Sequence, residues 1–299
     1  MSYSLCCISN ILKDKGVSFG TTTKKRFMQL DRADAINLVS KKTLQNIKTT
    51  FETIKHCVDN GWNYRLSCNM FPLLSLPDAN LVYEEYTDYK EIEEVFAQCR
   101  DFVKSTKIRL SNHPDQFVVL ASEKENVVSN SIRELNINAW VMDKFGAEQN
   151  YYNPINIHIN KTGDCAELAS RFFKNLDKCN ENVKKRLVLE NEDKGVWSVE
   201  KMLTHFGGTI PITYDNLHDA CNKSGDEFNN MLKCVETWER FNTKPLFHYS
   251  ESRQGSNPRA HADLPTKSPN NYNLTIDWEI ELKSKDYAII ELQRLTNNL

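Results

Sequence analysis

With 299 residues, 40% of them hydrophobic and 26% charged, the chain has the composition of an ordinary globular protein with room for a sizeable core. Its 38 basic and 40 acidic residues leave a net charge of -2. That excludes a general polycationic grip on nucleic acid and leaves any positive field to a local face or to bound divalent cations. No apolar run approaches the roughly 18 to 20 residues of a membrane helix, no secretory signal pattern opens the chain, and the nine cysteines form no C-x-x-C pair. These features point to free thiols in a reducing intracellular compartment, cytoplasm or nucleus, and away from a disulfide frame or a thiolate zinc site.

Ser4 to Ile8 is a short buried-type run closed by Ser9 and Asn10, followed by a polar segment from Lys13 to Arg32. Ala33 to Asn60 places Ile36, Val39, Ile47, Phe51, Ile54 and Val58 at helical spacing, and Asn60-Gly61 stops it. Tyr64 to Asn69 reads as a second strand, and Tyr89 to Lys104 as a helix with glutamates early and Arg100 and Lys104 late, as the helix dipole favours. The third strand, Lys107 to Ser111, runs into Asn112 and His113 and is blocked by Pro114. Ser122 to Phe145 is helical, Pro154 to Asn160 a fourth strand, and a helix starts at Gly163-Asp164 and runs through Leu176. Arg186 to Asp193 is a fifth strand ending in acidic residues, and a short helix follows from Val199 to His205. Ile212 to Asp215 is the sixth strand, Phe228 to Arg240 a helix, and Leu246 to Ser250 the seventh strand. Ser252 to Pro265 is loop, Ile276 to Leu282 the eighth strand, and Asp286 to Leu295 a closing helix.

Eight short apolar strands alternating with helices predict parallel βα units closed into a single TIM-type (β/α)8 barrel domain over residues 1–299. A doubly wound open sheet is the alternative, because short apolar runs do not separate the two.

In a barrel, the residues at the C-terminal ends of the strands share one mouth, where active sites form. Those positions hold Asn10, Asn69, His113, His158, Glu190, Asp215 with His218, His248 and Glu281, and His261 lies in the loop after strand seven. Five of the seven histidines fall in this set, while His56 and His205 lie on helices and read as packing or surface residues. Three carboxylates (Glu190, Asp215, Glu281) and five imidazoles exceed what one catalytic cation takes from protein. They suit two or three divalent ions sharing a bridging carboxylate. Such a cluster supplies a water nucleophile at neutral pH and stabilises both the attacking and leaving oxygens of a phosphodiester. A nitrogen and oxygen donor set without thiolate suits manganese or zinc, with magnesium and cobalt as further candidates.

The segments Tyr64-Arg65-Leu66-Ser67, Arg109 to Phe117, Leu189 to Asp193, Asp215 to His218, His248 to Glu251, Arg259 to Asp263 and Asp277 to Lys285 together resemble the UV damage endonuclease family. The resemblance runs over essentially the whole chain. It implies a TIM barrel and a divalent-metal cluster, usually manganese. It also implies nicking of double-stranded damaged DNA immediately 5′ of cyclobutane dimers and 6-4 photoproducts, with abasic sites as a further substrate, by a monomer that uses no nucleotide cofactor. In that pattern His113, His158 and Glu190 hold one ion, Glu190, Asp215, His248 and Glu281 a second, and His218 and His261 a third. Glu190, Asp215, His248 and Glu281 are then the catalytic set. The family's probing glutamine-aromatic pair falls on Gln116 and Phe117, and Asn10, Arg65, Lys161, Arg253 and Arg259 stand where phosphate and DNA contacts would form. Two positions depart from the pattern: Cys6 stands where a probing tyrosine is expected, and Leu246 where a lysine precedes the histidine matching His248. The competing readings are an apurinic-site endonuclease of the same barrel, a sugar isomerase, and a non-catalytic protein that binds damaged DNA.

Overall fold

A computed structural model describes residues 2–255 and 257–297 of the chain. Met1, Ser256, Asn298 and Leu299 of the expected 1–299 domain lie outside the described residues. Eight strands form one parallel sheet in the order β6-β5-β4-β3-β2-β1-β8-β7: β1 (Tyr3–Cys6), β2 (Asn63–Leu66), β3 (Leu110–Asn112), β4 (Ile155–Ile157), β5 (Leu187–Glu190), β6 (Ile212–Thr213), β7 (Leu246–Tyr249) and β8 (Asp277–Ile280). The two ends of that order meet at a bridge between Asp215 and His248, where the His248 amide donates to the Tyr214 carbonyl at 2.9 Å. This closure makes a barrel, and the doubly wound alternative does not apply.

The helices are α1 (Asn10–Asp14), α2 (Lys24–Met28), α3 (Arg32–Asp59), α4 (Tyr89–Thr106), α5 (Glu125–Lys144), α6 (Cys165–Leu176), α7 (Glu181–Lys184), α8 (Val199–His205), α9 (Asn216–Cys221), α10 (Glu227–Glu239) and α11 (Asp286–Asn297). Helix α3 is nucleated by the Asp31 side chain, which accepts from the Asp34 amide. It ends at Gly61, whose φ of 70° lets the Trp62 amide fold back onto the Cys57 carbonyl at 2.8 Å. Between the helices and the sheet lies a continuous apolar layer that includes Leu5, Val39, Ile54, Tyr64, Phe96, Phe172, Trp197, Trp238 and Leu292.

Each predicted strand is shorter in the structure at one or both ends. The run expected over 154–160 pairs only through Ile155–Ile157, and the run over 186–193 only through Leu187–Glu190. The reason is at the mouth: past the ladder, backbone groups turn to side chains, as when the Asn160 amide donates to Glu192 Oε1 at 2.7 Å. Helix α2 lies within the segment expected to be merely polar, because its cap, Thr23 accepting from the Arg26 amide, comes with too few apolar residues to show a period.

The opposite end of the barrel is plugged by Arg109, which is 1% exposed. Its guanidinium lies 3.3 Å from Asp277 and donates to the carbonyls of Tyr152 and Lys244, and Lys244 Nζ meets the same Asp277 at 2.5 Å. A charged plug that stiffens this floor leaves the other end free for chemistry.

Candidate active site

The strands deliver their polar residues to the mouth from their last paired positions or from just past them. His113 follows β3 directly and His158 follows β4, while Glu190 closes β5 and Glu281 follows β8. Asp215 caps helix α9, with one carboxylate oxygen accepting the His218 amide at 2.7 Å. The sequence Asp215-Asn216-Leu217-His218 therefore places a carboxylate and an imidazole on the same side of one turn.

Glu190 is the hub, and it is 1% exposed. His113 Nε2 lies 3.2 Å from its Oε2, His158 Nε2 3.6 Å, His248 Nδ1 3.1 Å, and His218 Nδ1 3.1 Å from its Oε1. Asn156 on β4 donates to the same Oε2. His248 Nδ1 also lies 3.4 Å from Glu281 Oε1. Among the described residues, three sets of donors have all their ligand atoms within 4.8 Å of one another: His113, Glu190 and His248; His158, Glu190 and His218; Asp215, His248 and Glu281. His261 stands at the edge, its Nδ1 bonded to the Glu281 carbonyl at 2.7 Å and 3.9 Å from that residue's carboxylate.

This donor set fits divalent cations. Asp215 Oδ2, His158 Nδ1 and His248 Nδ1 are buried without hydrogen bonds, which polar atoms in a protein interior rarely tolerate unless a ligand satisfies them. The ionisation of the cluster is set by its own neighbours. Burial alone would raise the Glu190 pKa, but His248, His158 and the hydrogen bonds from His113 and His218 hold it well below the usual carboxylate range. Burial would lower His218, but Asp215 and Glu190 raise it to about 11, whereas at His158 burial prevails and takes it down to about 4. Burial, with Glu190 and Glu281 nearby, raises Asp215. Positive charge on the imidazoles offsets the clustered carboxylates, a role that bound cations would take over.

Arg65 was expected at the DNA-facing rim. It points into the barrel instead, because its place on β2 faces inward, and Nη1 donates to Glu279 Oε2 at 3.0 Å and to Glu281. The Asn10 side chain donates to the Ser284 carbonyl at 3.2 Å. Arg253 and Arg259 flank a small hairpin closed by a Ser252–His261 bridge, each partly exposed and leaning on a carboxylate: Asp263 at 2.7 Å and Asp193 at 3.5 Å. Lys161 is half-buried on the loop after β4. Gln116 is exposed and Phe117 is 77% exposed, so Phe117 is no part of the core. Their loop is pinned by Asn160, which donates to the Gln116 carbonyl at 3.1 Å.

Cys6 is fully buried on β1, Leu246 is buried on β7, and His56 and His205 pack edge-on against Trp62 and Trp197. All nine cysteines are free thiols, and among the described residues no helix is long and apolar enough to cross a membrane.

Sequence reasoning missed Glu279, Asn156 and Glu192. Glu279 lies on β8 two residues before Glu281, which directly follows that strand, and extended alternation puts both on one face, so the signal was present. Its charge is secured despite burial: Arg65, His248 and the Ser111 hydroxyl take its pKa down to about 2. Glu192, buried behind the His158 loop, is pushed by burial up to about 7.

Comparison with known proteins matches this arrangement to one family. The chain is similar to the UV DNA damage endonuclease of Nostoc sp., 30% identical over 293 residues, covering 94% of this chain and 86% of that protein. It is similar to that of Bacillus velezensis, 29% identical over 284 residues, covering 91% and 87%. Its fold superposes on the crystal structure of SacUVDE with a TM-score of 0.82 at 27% identity, covering 100% of this chain and 98% of the other. The family model described as UV-endonuclease UvdE matches residues 1–299. The chain therefore belongs to the UV-endonuclease UvdE family and is, by that membership, an endonuclease.

Proposed function

We propose that the protein incises double-stranded DNA immediately 5′ of UV photoproducts, cyclobutane dimers and 6-4 photoproducts, using two or three divalent cations, manganese before zinc, magnesium or cobalt. The single observation that carries this reading is Glu190, a buried carboxylate with four imidazoles within 3.6 Å. The residues that would hold the ions are His113, His158, Glu190, Asp215, His218, His248, His261 and Glu281. When bound, the ions supply a water nucleophile at neutral pH and stabilise charge on the attacking and leaving oxygens.

The chain's own residues do the rest. Glu190 stands where it is shared between donor sets, and Asp215 is fixed by its role as a helix cap. Phe117 with Gln116 is an exposed aromatic-amide wedge suited to entering a base stack, which costs least where a lesion has already weakened stacking and pairing. Asn10, Lys161, Arg253 and Arg259 lie where they would hold the DNA backbone, whereas the donors of Arg65 are better read as neutralising Glu279 and Glu281. The reading takes the enzyme to act as a monomer without a nucleotide cofactor, in a compartment that keeps its thiols reduced.

The test is incision of duplexes carrying one pyrimidine dimer, one abasic site, or no damage, with manganese and with chelator. A manganese-dependent cut 5′ of the dimer is expected. Cutting only the abasic duplex would make the protein an apurinic-site endonuclease, and binding of the dimer duplex without cutting would make it a damage-binding protein.

A further inference from the structure

Beneath the eight rim residues sits a carboxylate that reaches no candidate ion position itself. Glu279 is 1% exposed and accepts from three directions: the Ser111 hydroxyl at Oε1, Arg65 Nη1 at 3.0 Å and His248 Nε2 at 3.0 Å, both at Oε2. Ser111 and Arg65 both present donors to it, so Glu279 remains an ionised acceptor, and a neutral His248 facing it must carry its proton on Nε2. The other ring nitrogen, Nδ1, then has its lone pair free. It is the nitrogen 3.1 Å from Glu190 and 3.4 Å from Glu281, close to two acceptors and hydrogen-bonded to neither. A ring nitrogen with a lone pair between two carboxylates is arranged for a cation.

We infer that Glu279 is a positioning residue that fixes the Nε2–H tautomer and the ring plane of His248, so that Nδ1 is presented to the cation position bounded by Asp215 and Glu281. The inference rests on the reading of the rim as a cation site, and it does not depend on what substrate that site cuts. Carboxylates that orient a ligand histidine in this way typically account for 10- to 100-fold in metal affinity.

The experiment is manganese titration of the full-length protein, following free manganese by electron paramagnetic resonance, for the wild type, Glu279→Ala and Glu279→Gln. The ring nitrogens of His248 are assigned by 15N NMR in the zinc-loaded wild type. Glu279→Ala should weaken one class of bound manganese by roughly 10- to 100-fold while leaving another class unchanged. Glu279→Gln, whose amide oxygen can still accept the Nε2–H, should recover much of that loss, and zinc should sit on Nδ1 with the proton on Nε2. Unchanged manganese affinity in folded Glu279→Ala overturns the inference, as does zinc on Nε2 in the wild type, a result that needs no variant to fold. A wild type that takes up no manganese overturns the cation reading of the whole rim along with it.

Discussion

Glu190 and His248 lie on non-adjacent strands, yet Glu190 Oε2 and His248 Nδ1 are 3.1 Å apart inside the barrel mouth. Barrel closure through the Asp215–His248 bridge brings β7 round to β6 and so puts His248 within reach of β5. Fold and chemistry are joined at this point.

Replacing Glu190 with alanine should abolish incision while duplex binding largely survives. The loss should exceed about 100-fold, because even an outer partner of a metal ligand is worth about 10- to 100-fold. Incision rates and binding isotherms measured on the same dimer-containing duplex check this, and retained cutting would remove Glu190 from the bridging role.

The double variant Gln116→Ala, Phe117→Ala should bind damaged and intact duplex about equally. An aromatic stack on a base contributes about 1–3 kcal/mol, so the preference for damage should fall by about 10- to 100-fold. Because Phe117 is exposed, thermal stability should hardly move. A preference left intact would assign the loop some other role.

Cation binding should release protons and tighten as pH rises. His218 is held up to about 11 by Asp215 and Glu190 against the effect of burial, so a bound cation must displace its proton. Lowering pH from about 8 to about 6 should weaken apparent manganese affinity, with calorimetry in buffers of different ionisation enthalpy counting the protons. Manganese at about 100 times its dissociation constant should stabilise the fold by about 2.7 kcal/mol, seen as a melting shift that chelator reverses.

At the other end of the barrel, Arg109→Ala should destabilise the protein by about 1–3 kcal/mol, because it removes the buried donors to the Tyr152 and Lys244 carbonyls while Asp277 keeps Lys244. Denaturant unfolding measures the loss, while incision per folded molecule should stay close to wild type.

Much of this was legible in the chain. The alternation of short apolar runs with helices gave the barrel, and polar residues at the ends of those runs gave the rim, because strand ends in a barrel share a mouth whatever the loop lengths between them. How the donors divide was not legible. The resemblance puts His218 with His261, and in the structure His218 Nδ1 also lies 3.1 Å from Glu190, in reach of the group that includes His158. That depends on the α9 turn capped by Asp215, a three-dimensional detail. Arg65 reads as a DNA contact from its place at the mouth, and only the inward direction of its strand position commits it to Glu279 and Glu281. Phe117, followed by Val118 and Val119, carries no periodic mark of exposure. Its freedom comes from a loop turned outward and pinned by Asn160.

The measurement that bears most directly on this account is anomalous diffraction from a crystal of the protein soaked in manganese. At least two peaks should appear within ligand distance of the rim, one against Glu190 with His113 or His158 and another bounded by Asp215, His248 and Glu281. Absence of any manganese peak within reach of Glu190 would contradict it.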